Sequence, residues 1–154
     1  MSYLVVKWIH VLSSTLLLGT GLGIAFFMWV AHRRGDPHVI AATARTVVIA
    51  DALFTAPAVV IQLASGLWLA RLLGWPLDQL WLKASLLLFV LVGACWLPVL
   101  WLQLRARDLA VQAVASGTAL PRAYHRVMRA WFWLGWPAFI SVIAIFWLMV
   151  TKPA

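Results

Sequence analysis

The sequence is poor in charge, contains one cysteine and has no glutamate, and each shortage excludes a class of protein. Only 10% of the 154 residues are charged, whereas soluble domains carry about a quarter. The single cysteine, Cys95, excludes an internal disulfide and argues against a metal site built from cysteines. Its four methionines are scattered, which argues against a copper site. No carboxylate pair or serine–histidine–acid set is evident, so hydrolytic chemistry has no candidate site.

Apolar residues are abundant, and they form long runs. Four segments carry no charge: Val11 to Ala31, Ala52 to Ala70, Ala84 to Leu104 and Ala130 to Thr151. Each approaches the roughly 20 residues that a helix needs to cross a bilayer. Short connections between them favour antiparallel neighbours. The sequence therefore predicts an all-α integral membrane protein, a single up-down four-helix bundle over residues 1–154, with helices at about 4–31, 39–73, 77–116 and 120–151.

The distribution of basic residues predicts an orientation. Most of them flank the first and third connections: Arg33, Arg34, Arg45, Arg105, Arg107, Arg122, Arg126 and Arg129. Under the positive-inside rule these two connections are cytoplasmic, so both chain ends face the outer, periplasmic side. The sequence thus predicts a multi-pass protein of the bacterial inner (cytoplasmic) membrane.

The formal charge of +8 has the same explanation. Basic residues at helix ends set orientation and contact anionic lipid, so the charge does not indicate nucleic-acid binding. The expected partner is the lipid bilayer. A membrane or redox partner protein and a homo-oligomer both stay open at this point.

One histidine, His10, stands at the start of the first apolar run. An ionisable residue within the bilayer is costly and is a functional candidate by default. Three alternative roles are open to His10: a hydrogen bond inside the bundle, a proton relay, or ligation of a metal or haem. At helical spacing its face includes Ser13, Ser14, Leu17 and Gly21, and these small side chains leave a slot for a flat macrocycle. Gln62, on the second helix, is expected near the same level.

Three cations are predicted around this histidine, because Lys7, Arg71 and Lys83 all fall near the outer boundary. Haem iron binds imidazole and haem propionates bind cations, so the set suits haem b with His10 as the axial ligand. Long basic side chains that reach the membrane surface are the alternative explanation.

Other polar residues have simpler interpretations. Asp51, at the inner end of the second helix, is predicted to form an ion pair with Arg129, Arg105 or Arg45. The other three histidines are expected in the cytoplasmic connections or at the helix ends beside them: His32, His38 and His125. About 30 Å of bilayer separates them from His10, which argues against a haem with two histidine ligands.

Three stretches carry a resemblance to a known family. "VVKWIHVLSSTLLLGTG" (5–21), "ALFTAPAVVIQLASGLWL" (52–69) and "WLKASLLLFVLV" (81–92) resemble helices of the HemJ-class membrane protoporphyrinogen oxidases. The overall pattern is most similar to small bacterial integral-membrane proteins related to that class.

This resemblance implies that His10 binds haem b and that Lys83 is a catalytic residue. It further implies electron removal from a tetrapyrrole or another small reductant. The oxidases carry a Tyr-His pair further along the third helix, where this chain has Ala94 and Cys95. That departure argues against the porphyrinogen activity itself.

The sequence is compatible with three alternative functions. The first is a membrane haem protein with redox or electron-transfer activity, using His10, Ser14, Gln62, Arg71, Lys83 and Lys7. The second is a non-catalytic membrane subunit or assembly factor without a cofactor. Proton-coupled multidrug transport ranks last, because Asp51 is the only carboxylate near the interior of a span.

Overall fold

The computed structural model describes residues 2–153 and consists of four long helices. They are α1 (Tyr3–Arg34), α2 (Pro37–Leu72), α3 (Leu80–Ser116) and α4 (Arg122–Thr151), and all four are long and apolar enough to cross a membrane. An all-helical fold with four candidate spans is therefore confirmed. The predicted position of both termini on the outer, periplasmic side stays a prediction.

The turn between α1 and α2 follows from its residues. Gly35 ends α1 in the left-handed region at φ 70°, a conformation that glycine adopts without steric cost. The carboxylate of Asp36 accepts a hydrogen bond from the backbone N–H of His38 at 2.8 Å. Pro37 then occupies the first helical position, where no backbone donor is needed.

The turn between α2 and α3 is longer than the sequence predicted. Helix α3 begins at Leu80 and not at 77. Pro76 lies in this connection, and its carbonyl accepts from the N–H of Gln79 at 3.2 Å.

A π-helical segment interrupts α2 at Asp51–Thr55. The N–H of Ala56 donates to the carbonyl of Asp51, five residues back. Pro57 follows at once, and its ring lacks an N–H and crowds the carbonyl of Leu53. We attribute the widened turn to this proline, since the sequence gives no other cause for a break in the α-helical ladder.

The helices pack as two pairs joined along part of their length. Helix α1 packs on α2, the first half of α2 packs on α3, and α3 packs along α4. No comparable backbone packing joins α1 to α4 within residues 2–153. Side chains from all four helices meet in one large core cluster that includes Met28, Ile40, Ala110 and Tyr124.

A second, small cluster lies where the ends of α2 and α4 meet the start of α3. It is formed by Ala70, Trp81 and Leu82, with Trp75, Leu148 and Met149 packed against it. Between the two clusters the helix pairs diverge. Large apolar side chains such as Phe26, Leu87 and Val90 are exposed along the outside, as expected for a lipid-facing surface.

Candidate functional site

The divergence of the helix pairs leaves a cavity of about 380 Å³ between the two clusters. All four helices contribute to its wall, which is mostly apolar. Its few polar side chains lie on two levels, with Ser14 and Gln62 at one end and Asp51, Thr55 and Gln103 at the other. The volume lies within the range of sites for small molecules.

Three glycines help to open this cavity. Gly21, Gly93 and Gly135 line the wall on α1, α3 and α4, respectively. A Cβ atom added at any of them would meet no atom within 4 Å. Space is therefore available at three points where an ordinary side chain would fill it.

His10 lies beside one end of the cavity, in a hydrogen-bonded cluster with α2. Its Nδ1 is 2.9 Å from the hydroxyl of Ser65, and its Nε2 is 3.1 Å from Nε2 of Gln62. The amide oxygen of Gln62 in turn accepts from the hydroxyl of Ser13. Both imidazole nitrogens thus contact polar groups of the protein, and we call these four residues the His10 cluster.

Close backbone approach fixes the imidazole further. A Cβ atom at Gly66 would lie 3.0 Å from Cε1 of His10. The absence of a side chain at this position lets one edge of the ring approach α2 closely. The sequence had placed Gln62 near the level of His10, and the structure brings the two side chains into contact.

Gly66→Ala is expected to lower the free energy of unfolding by about 1–2 kcal/mol, since the ring held by two hydrogen bonds cannot move away from the new methyl group. Gly19→Ala is the matched control, because nothing lies within 4 Å of its Cβ position. Alanine also favours a helix over glycine, so this control should lose no stability. Unfolding in mixed micelles, followed by circular dichroism, measures both; equal stability of the two variants would contradict the assigned contact.

The predicted cations lie elsewhere. Lys7, Arg71 and Lys83 are all exposed, and none of them lines the cavity. Lys7 packs over the ring of Tyr3, with Nζ 5.5 Å from the ring centroid. Among the described residues, no hydrogen bond or ion pair links these cations to the His10 cluster.

The surroundings of His10 show whether the predicted site can hold haem. His10 is absent from the cavity wall, both of its nitrogens are engaged, and Gly66 covers one edge of the ring. Axial ligation would require Gln62 or Ser65 to release the imidazole. In this arrangement His10 does not fit the role of an axial haem ligand unless it gives up Ser65 or Gln62. Haem binding stays a prediction that a spectrum can test.

The predicted ion pair of Asp51 is wrong. Its carboxylate accepts a hydrogen bond from Nε2 of Gln103 at 2.8 Å, and both residues are buried. The ion pair found within residues 2–153 is between the neighbours Arg107 and Asp108. The arginines expected to reach Asp51, namely Arg45, Arg105 and Arg129, are exposed. Gln103 was a visible signal that the sequence interpretation missed, since it is a lone amide inside an uncharged run.

Two of the remaining histidines, His32 and His125, meet near the start of α4. His32 Nδ1 is 3.2 Å from the hydroxyl of buried Tyr124, and the His32 and His125 rings are 5.9 Å apart. No group of three or more histidine, cysteine or acidic residues suited to a metal occurs in the described part of the chain. This cluster joins α1 to α4 and is assigned a packing role.

Comparison with known families gives one match. A family model described as a predicted integral membrane protein, DUF2269, matches residues 4–153. Neither the curated proteins nor the solved structures give a significant match.

Proposed function

Since this chain belongs to the DUF2269 family of predicted integral membrane proteins, we propose that it binds a lipophilic small molecule in the cavity between its helix pairs. The observation that carries the proposal is the cavity itself, about 380 Å³ of mostly apolar space between two packed clusters. A mostly apolar space of this size between membrane helices is large enough to hold a small lipid-soluble molecule.

The expected entrance is the gap between α1 and α4. Leu22 and Phe139 line the cavity and are also partly exposed on the outside of the bundle. A molecule dissolved in the bilayer can therefore reach the cavity without passing through water. Such a route suits a ligand with little polar surface, because apolar groups gain nothing by leaving lipid for water.

The His10 cluster supports this function by holding α1 against α2. Its hydrogen bonds connect the two helices at one end of the cavity, with Gln62 belonging to both the cluster and the wall. In this proposal His10 is a positioning residue. Lys83, Arg71 and Lys7 have no role in the site, and their exposure suits contact with lipid head groups.

Haem b remains the second candidate, with redox or electron-transfer activity and a relation to the HemJ class. The favouring observation is that Ser14 and Gln62, both predicted beside the haem, do line the cavity. Haem binding would require His10 to break its hydrogen bonds with Ser65 and Gln62. It is therefore ranked below an organic ligand that uses the cavity as it stands.

One preparation tests both candidates. Protein purified in mild detergent from haem-replete cells is expected to show a stoichiometric organic adduct by native mass spectrometry and no Soret absorbance. The adduct should survive delipidation that strips surface phospholipid. A Soret band that disappears in His10→Ala would contradict the proposal and establish haem binding. A protein with neither adduct nor band, even after incubation with extracted membrane lipids, would leave the cavity without a ligand and end the proposal.

A further inference from the structure

The cavity has a second polar site at its Asp51 end, distinct from the His10 cluster. Asp51, Thr55 and Gln103 are buried, with 4%, 6% and 2% of their surface exposed. All three line the cavity. Asp51 lies eleven residues before Gln62 on α2, which places it about three helical turns away.

Several polar atoms of the residues that line this cavity have no partner. Within residues 2–153, three buried side-chain atoms make no hydrogen bond: the hydroxyl of Thr55 and the indole nitrogens of Trp96 and Trp131. Every one of these residues lines this cavity. An unsatisfied buried polar group is costly and rare, so three on one cavity indicate partners that the protein itself does not supply.

The carboxylate is also incompletely satisfied. Oδ2 of Asp51 accepts from Gln103, and no cation pairs with the group within the described residues. A buried carboxylate with one amide donor retains capacity to accept a further hydrogen bond. A carboxylate in this setting is retained at a cost in stability, which favours a functional role.

The backbone at this point is unusual as well. Asp51 and Thr55 are the two ends of the π-helical segment of α2. Such segments occur frequently at functional sites because the widened turn changes the direction of nearby side chains. Here the segment brings an acid and an unpaired hydroxyl into the wall of the same cavity.

From this combination we propose that the ligand carries an aromatic hydroxyl head group and that the head group binds at the Asp51 end. This inference rests on the proposed function and names the ligand class. A phenolic hydroxyl donates to the Asp51 carboxylate, and its oxygen accepts from an indole N–H or from Thr55. The apolar remainder fills the cavity towards Gln62. Lipid-soluble quinols have this chemistry, and only binding is assigned.

The test compares a quinol with its oxidised form. Decylubiquinol and decylubiquinone share the ring and tail, but only the quinol can donate to a carboxylate. In nanodiscs, wild-type protein is expected to bind decylubiquinol about tenfold more tightly than decylubiquinone. Asp51→Asn should reduce this preference to about twofold or less. Thr55→Val, which keeps the shape, should weaken binding of both forms.

Asp78→Asn is the matched control, since Asp78 is exposed in the turn before α3 and should leave the preference unchanged. Equal affinity of the wild-type protein for quinol and quinone would overturn the inference without any variant. So would an unchanged preference in Asp51→Asn. If neither compound binds while the native adduct persists, the head-group assignment fails and the proposed function stands. If no adduct exists either, both fail.

Discussion

Gly135→Phe is expected to remove the native ligand adduct, while Gly19→Phe retains it. Gly135 lines the cavity with open space at its Cβ position, so a benzyl side chain there takes up volume that the ligand needs. Steric overlap of about 1–3 kcal/mol corresponds to roughly a fivefold to 150-fold loss of affinity. The adduct fraction in native mass spectra, titrated with the extracted ligand, measures this loss.

The control for this prediction is well matched. Gly19 also has nothing within 4 Å of its Cβ position, and it does not line the cavity. Both substitutions replace a helical glycine, so helix propensity changes in the same direction in both. Gly93→Phe places the same bulky side chain in the cavity from α3. A loss of ligand in this variant as well would show that the effect of Gly135→Phe is not a local distortion of α4. Full ligand occupancy in both cavity variants would place the ligand elsewhere.

His10→Ala is expected to lower the free energy of unfolding by about 1–3 kcal/mol. The substitution removes the interhelical contacts with Ser65 and Gln62 and leaves the Gln62 amide without its imidazole partner. Hydrogen bonds between membrane helices are individually modest, so the estimate rests on losing two of them together. Steric trapping or denaturation in mixed micelles measures the change.

The comparison variants separate packing from ligation. His38→Ala should change stability by less than about 0.5 kcal/mol, because His38 is exposed at the start of α2. Gln62→Leu should cost a similar amount to His10→Ala, and the double variant should cost less than the sum by about 1 kcal/mol. Additive costs would show that the two side chains do not interact. If His10 were a haem ligand, His10→Ala would instead remove a haem absorbance band, and Gln62→Leu would leave that band in place.

Much of the fold could be predicted from the sequence. Four uncharged runs of bilayer length require helices, because a backbone in lipid must satisfy its own hydrogen bonds. The turn at Gly35, Asp36 and Pro37 was equally visible, since each residue has one strong local preference. Composition alone could not reveal that α3 would begin at Leu80 and not at 77.

The site was predicted only in part. Helical spacing placed Ser14, Gln62 and His10 in one region, because the two faces follow from a period of 3.6 residues. It could not tell a ligating imidazole from one that joins helices. That distinction depends on whether the ring nitrogens have protein partners, and Ser65 and Gln62 are supplied by another helix.

What the sequence by itself determined is the class of protein: a four-span, all-helical membrane protein whose few interior polar groups lie on inward faces. Local hydropathy and helical period suffice for this. The tertiary structure alone decided that Asp51 pairs with Gln103 and not with an arginine, and that a cavity separates the helix pairs. The physical reason is that both depend on the distance between helices that are far apart in the chain, and side-chain volume at each crossing sets that distance.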